Sequence, residues 1–308
     1  MKKKGDLAKL RHAKDKSNVK NQLIKKKKNN PISFTPLKLE TYAIAYLDFL
    51  GTTERMNGDK STESLDILNA VYTMLRLFCS TFEHHNMNIG DFDLRIFSDN
   101  VVIAKKIQDV NKSYVEDFAD LLFATSIFQE LSLSLFQWPL RGGIVVGELH
   151  INENLIWGQA LVDAHNLEDK YAKYPRVVID SKIIHQLSAI SGIDSINQKI
   201  IDGLPASPIL CDDDGQYYLS YLEPKFVILN TYHHLYDMRP ELRSRDEASM
   251  IYIMNLITKQ LTTGKENLTD LLKSAETADL KIQQKISWSV KYHNMMCDKH
   301  HHPEYKVT

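Results

Sequence analysis

The chain has 308 residues, with 43% hydrophobic and 25% charged side chains, enough to bury a core without disulfide staples. Its three cysteines, Cys79, Cys211 and Cys297, form no CxxC pair, which points away from a thiolate metal site or a redox motif and toward reduced thiols in a cytoplasmic setting. The net charge of −1 hides a split: residues 1–32 carry twelve Lys and Arg against two Asp, leaving the remainder acidic and a poor general binder of nucleic acid.

The basic stretch, residues 1–35, reads as a disordered, solvating tail. Contact with nucleic acid or an anionic membrane is the alternative, disfavoured because no aromatic residues are interleaved to stack on bases. The lysines precede no apolar stretch, so a secretory signal is not expected, and no apolar run of the length of a membrane span is read from the chain. Pro31 and Pro36 separate the tail from the first periodic segment.

Thr41 to Leu47 (TYAIAYL) predicts a buried strand ending at Asp48. Leu65, Leu68, Tyr72, Leu75, Cys79 and Phe82 recur at helical spacing and predict an amphipathic helix over 63–86. Phe92–Phe97 and Val101–Ala104 read as two short strands, with Ser98, Asp99 and Asn100 at the bend. Phe118 to Leu131 marks a second long helix. Arg141–His150 and Ile151–Trp157 predict a hairpin turning near Asn152 and Asn154. A third helix follows over Gln159–Lys173, ended by Pro175, and Val177–Ile179 is a strand. Signals weaken after residue 185. Ile209 and Tyr217–Leu222 read as short strands around an Asp212-Asp213-Asp214-Gly215 turn, and 242–297 reads as helical. The expected class is α+β, with helices on one face of a sheet and a helical C-terminal extension.

Asp48 ends the first strand and Asp99 turns the hairpin. If those strands are neighbours, both carboxylates reach one edge of the sheet, where they repel one another unless a cation lies between them. Magnesium or manganese suits such oxygen ligands, and two ions can serve both an attacking hydroxyl and a leaving pyrophosphate. Either aspartate alone would read as a turn residue or helix cap. Gly51 permits close backbone approach to a triphosphate.

The segments AYLDFLG (45–51), LRIFSDNVVIA (94–104), LRGGIVVGELH (140–150) and LIWGQALVDAHNLE (155–168) together resemble class III nucleotidyl cyclases. More narrowly, RGGIVVGE, WGQALVDAHNLEDKYAKYPRVVID and WSVKYHN resemble the bacterial pyrimidine nucleotide cyclases of the Pycsar antiphage system. The resemblance implies a ferredoxin-like palm sheet in a cyclase domain over 36–225, with the extension over 226–308. It implies a homodimer converting CTP, or UTP, to a 3′,5′-cyclic monophosphate that acts on a separate effector. Two Mg²⁺ or Mn²⁺ ions would be held by Asp48, Phe49 and Asp99. Phe49, Leu50 and Gly51 would face the phosphates, and Arg95 would read the base from the partner subunit. CTP is slightly preferred over UTP.

The chain departs from the broader class at three positions. Leu155 stands where adenylate cyclases carry a base-reading Asp. Val162 and Asn166 stand where they carry the transition-state Asn and Arg, so Asn166 is the candidate catalytic residue on that helix. Lys170 and Lys173 are candidate substitutes for the missing arginine. A degenerate, nucleotide-sensing cyclase is the non-enzymatic alternative, and a dinucleotide synthase is disfavoured by the absence of a glycine-rich acidic turn. His84-His85, His233-His234 and His300-His301-His302 lack zinc spacing and read as surface or interface residues. The Asp212–Gly215 run lacks the glutamate of a calcium loop. Ser98 has no histidine placed to activate it.

Overall fold

A computed structural model describes residues 36–52, 61–81, 92–108, 114–190, 208–238 and 247–308. The basic tail, the end of the first predicted helix beyond Thr81 and His84-His85 lie outside these residues. The elements are β1 (Glu40–Phe49), α1 (Ser61–Thr81), β2 (Phe92–Phe97), β3 (Asn100–Lys106), α2 (Tyr114–Phe136), β4 (Leu140–Ile151), β5 (Ile156–Trp157), α3 (Gln159–Tyr171), β6 (Val177–Ile179), α4 (Ser181–Ile190), β7 (Ile209–Cys211), β8 (Tyr217–Leu219), α5 (Glu223–Met238), α6 (Glu247–Ala275) and α7 (Leu280–Lys299). The class is α+β, as the sequence predicts.

One sheet runs in the order β2-β3-β1-β4-β6-β8-β7, with β5 paired to β4. β1 sits in the middle of the large meander, antiparallel to β3 and to β4, and β4 continues parallel to β6. Six consecutive buried residues, Tyr42–Leu47, reflect its central place: both of its faces are covered. Ala43, Ala45, Leu47 and Phe49 face α1 and α2, where Phe118, Leu121, Leu122 and Phe128 fill the main core. Tyr42, Ile44 and Tyr46 face the other way, onto Ala160 and Ala164 of α3. The expected covering of one face is therefore realised by α1 and α2, and α3 adds a partial cover on the second face.

The close approach of α3 depends on β4. A Cβ at Gly143 would lie 2.4 Å from the Ala164 carbonyl oxygen and 3.0 Å from the Glu168 amide nitrogen, so only glycine lets the helix backbone settle on the strand.

Residues Leu39–Thr308 form one compact unit. Within it a second core gathers Leu133, Tyr218, Tyr221, Phe226, Leu261, Leu268, Tyr292 and Met296, so α5, α6 and α7 pack against the end of α2 and against β8. Lys225 of α5 forms a buried ion pair with Glu130 of α2. Helix α5, which falls mostly within the helical extension expected over 226–308 though the periodic pattern itself begins only near 242, is anchored there. Helix α2 is long and apolar enough by length and composition to cross a membrane, contrary to the reading of the sequence, and 89% of its apolar window is buried inside the fold.

Candidate active site

The edge of the sheet where β1 ends is built by register. Asp48 pairs with Asn100 of β3 on one side and with Arg141 of β4 on the other. Strand alternation places these three side chains on the α3 face, in line with Tyr46. Phe97 pairs with Asn100, so Ser98 and Asp99 form a two-residue hairpin turn. Ser98 adopts φ +57°, a left-handed conformation that such turns usually assign to glycine, and it orients the turn that carries Asp99. The Phe49 amide donates to the Asp99 carbonyl at 3.1 Å, which ties the turn to the end of β1.

The two aspartates thus lie at one end of the sheet, and the Asp99 charge bears on Asp48. Burial raises the Asp48 carboxyl above its usual range. The Arg141 guanidinium opposes this, the Asp99 charge adds to it, and the Lys285 ammonium opposes it. Tyr46 donates to Asn100 Oδ1 at 2.6 Å, and Asn100 donates to Asp99 Oδ1 at 3.1 Å. The Tyr46 phenol is pushed up to about 12 by burial and then by Glu168, Asp48 and Asp99.

Arg141 is the residue that the sequence reading saw only as part of a strand. Its Nε donates to Asp48 Oδ2 at 3.0 Å and lies 2.8 Å from Glu168 Oε1, while Nη1 reaches the Ala172 carbonyl at 3.5 Å. Glu168 completes the inward stripe Ala160, Ala164, Glu168 on α3, and its side chain is 4% exposed. Burial, set against Arg141 and aided by Asp48 and Asp169, pushes its carboxyl up to about 7. A glutamate at core spacing on an amphipathic helix was the available signal for this partner.

The remaining predicted residues fall as follows. The amides of Phe49 and Leu50 are already donated, to Asp99 and Pro139, and the Phe49 carbonyl accepts from Thr52 Oγ1 at 2.7 Å. A phosphate cradle in this turn would therefore be built from Gly51 onward; Gly51 has φ +78° and is exposed. Arg95 lies across Val102 from Tyr46, two strands and so about 10 Å to the side of β1, on the same hairpin whose turn carries Asp99. It is held by its own chain, donating to the Asn152 carbonyl at 2.7 Å and the Leu94 carbonyl at 2.8 Å. Asn166, Val162, Lys170 and Lys173 are exposed on the outer side of α3 and its end, away from the Ala160–Ala164–Glu168 stripe.

Divalent ions of the magnesium type take hard oxygen donors. Asp48, Asp99 and the Phe49 carbonyl fit that requirement, and in the chain alone Arg141 supplies positive charge at Asp48. Among the described residues no group of three or more His, Cys, Asp or Glu is arranged for a metal, so a cation here would complete its coordination with substrate and water. His300 and His302 are packing residues: their rings stack on Phe226 at 5.1 and 5.6 Å, and His300 Nε2 lies 3.0 Å from Glu223 Oε2. The side chains of His233 and His234 lie outside the described ones. The Asp212–Gly215 segment is a turn, held by fully buried Arg176, which contacts both Asp212 and Asp214. A cleft of about 490 Å³ opens beside that turn, lined by Tyr174, Asp212, Asp213, Asp214, Trp288 and Lys291 among others, and it does not include Asp48 or Asp99.

The fold and this edge define an α+β chain with two aspartates beside a half-buried Arg141 paired with buried Glu168. Neither protein-family models nor curated proteins give a match. Among solved structures, the chain is similar at 12% identity to the monomeric guanylyl cyclase domain of the RhoGC fusion protein from the aquatic fungus Blastocladiella emersonii. That match covers 60% of this chain and 98% of that one, with a TM-score of 0.42. The guanylyl cyclase Cya2 matches at 13% identity over 60% of this chain and 94% of that one, with a TM-score of 0.34.

Proposed function

We propose that the chain is a homodimeric nucleotidyl cyclase that converts CTP, or UTP, to the 3′,5′-cyclic monophosphate and pyrophosphate. The observation that carries the reading is the meeting of Asp48 and Asp99 at the end of β1, on the segments that resemble class III cyclases. Asp48, Asp99 and the Phe49 carbonyl would hold Mg²⁺ or Mn²⁺, which supplies charge neutralisation for the phosphates and a lowered pKa for the attacking hydroxyl.

The protein's own part is orientation and charge. Arg141 Nε holds Asp48 by its Oδ2 at 3.0 Å, and the carboxylate is only partly exposed. Gly51 leaves room for a phosphate beside Asp48, since a Cβ there would meet no atom of the described residues within 4 Å. Arg95 donates hydrogen bonds and accepts none, which suits cytosine O2 and N3 or uracil O2 and O4 of a nucleotide bound to the partner subunit. The exposed apolar side chains Phe97, Leu155, Trp157 and Val162 lie on this side of the sheet and suit burial by a second copy. By the same resemblance the cyclic product would serve a separate effector in antiphage defence, in the cytoplasm.

The test is incubation of the chain with each of the four ribonucleoside triphosphates and Mn²⁺, with products read by mass spectrometry. A cyclic pyrimidine monophosphate is expected from wild type and none from Asp48→Asn or Asp99→Asn. No cyclic product from any triphosphate refutes the reading. One observation favours a second reading, a nucleotide sensor without turnover: the outer side of α3 carries Asn166 and no arginine. Triphosphate binding without product would select it.

A further inference from the structure

The proposed site is short of positive charge. Asp48, Asp99 and Glu168 bring three carboxylates to the edge, and Arg141 is shared between two of them. A triphosphate adds several negative charges more. Helix α3 offers no arginine toward this edge, and its lysines, Lys170 and Lys173, are exposed beyond it.

The fold brings a cation from elsewhere. The segment that follows α3 is fastened to the start of β4: the Ala172 carbonyl accepts from Arg141 Nη1 at 3.5 Å, and the Arg176 carbonyl accepts from the Gly142 amide at 3.1 Å. Helix α7 is keyed onto that same segment. The Trp288 ring stacks on Tyr174 at 5.9 Å and 3°, and its Nε1 donates to Asp212 Oδ2 at 2.8 Å. Asp279 caps the start of α7 by accepting from the Ile282 amide at 2.9 Å, which sets where the helix begins. Lys285 stands one turn before Trp288 and so shares its side of the helix. It is half-buried, between exposed Gln284 and buried Ile286. Its charge is felt at both Asp48 and Glu168. Among the described residues no carboxylate forms an ion pair with it.

We infer that Lys285, delivered by the C-terminal helix α7, is a triphosphate-binding residue of the site, taking with Arg141 the charge-neutralising part that α3 lacks. The inference rests on the proposed cyclase reading for its ligand and extends it, because it makes the C-terminal helices part of the substrate site. Lys285 is suited to this by being half-desolvated and close to a second cation: burial first, and then Arg141, hold its ammonium below the usual range, with Asp48 opposing. An anionic ligand would relieve both costs at once.

The experiment compares the full chain with Lys285→Gln, Lys285→Arg and, on the same helix, the exposed Lys281→Gln. Calorimetry with Mn²⁺ and a non-cyclising αβ-methylene CTP or UTP gives affinity, inorganic tripolyphosphate isolates the phosphate contribution, and mass spectrometry gives turnover. Circular dichroism checks the fold. Lys285→Gln is expected to weaken nucleotide and tripolyphosphate binding about ten- to a hundredfold, as loss of a charge-assisted contact does. Lys285→Arg should stay within about threefold, and Lys281→Gln should match wild type. Wild-type binding in folded Lys285→Gln overturns the inference, even where cyclisation is intact. Lost binding in that variant, with a wild type that binds but forms no product, upholds the inference while the cyclase reading fails. A wild type that binds neither probe overturns both.

Discussion

Gly143→Ala tests whether the site is positioned by the contact between β4 and α3. The added methyl carbon would sit 2.4 Å from the Ala164 carbonyl oxygen, 3.0 Å from the Glu168 amide nitrogen and 3.0 Å from Leu167 Cβ. Relaxing the first contact to ordinary van der Waals distance needs a displacement of about 1 Å. The obstructing atom is helix backbone, so α3 must move as a body. Overpacking of this kind costs about 1–3 kcal/mol, a few degrees in Tm for a chain of this size. The displacement would also pull Glu168 from Arg141, a contact of 2.8 Å, and leave Asp48 as the main partner of that arginine. Gly147→Ala is the control, since its Cβ would lie 3.3 Å from Ala160 Cβ and at ordinary contact, 3.6 and 3.9 Å, from the Ala160 Cα and N, and should cost less than about 1 kcal/mol. Urea unfolding reads both variants, with Mn²⁺-dependent nucleotide turnover as the second measurement. A Gly143→Ala midpoint equal to that of wild type would show that α3 does not depend on this approach.

Glu168 makes stability depend on pH. Its carboxyl is raised from 4.5 to about 7, so between those values the folded chain keeps a proton that the unfolded chain has released. Stability should therefore fall as pH rises from about 4.5 to 7.5, by up to about 3 kcal/mol from this group. Glu168→Gln should flatten that slope in urea titrations at several pH values; an unchanged slope would show that another group is responsible. Arg176→Met takes the guanidinium from Asp212 and Asp214, which remain reachable by water, and should cost about 1–3 kcal/mol by thermal unfolding. Arg141→Gln removes the guanidinium from Asp48 and should strengthen Mn²⁺ binding to the nucleotide-free chain several-fold, measured by electron paramagnetic resonance; weaker binding would contradict the placement of a cation at Asp48.

Much of this arrangement was legible in the residues. The periodic apolar positions of α1, α2 and α3 announce their helices, and the alternation around Ser98 and Asp99 announces a hairpin, because burial on one side leaves a local trace. Helix α5 left little trace. It begins at Glu223-Pro224, and its inward residues meet α2 and α7, distant segments that set its pattern. The aspartate pair was found from strand order alone. Arg141 was not, because its partner Asp48 is chosen by sheet register, which joins segments 93 positions apart. Lys285 is harder still: it reads as one lysine among several on a polar helix until Trp288 locks onto Tyr174. The histidine run at 300–302 reads as surface or interface, and the stacking of His300 and His302 on Phe226, with His301 exposed, shows how a short polar stretch packs when a neighbouring helix supplies a ring.

Helix α2 has one more consequence. It is a 23-residue segment whose composition would satisfy a lipid bilayer, and the fold keeps it as an internal beam by wrapping it with α1, the sheet and α6. A newly made chain carrying such a segment is at risk until its wrapping arrives from both sides. Lesions in α6 far from the aspartates should then show themselves first as clumping or misrouting of the protein, with the chemistry lost only as a by-product.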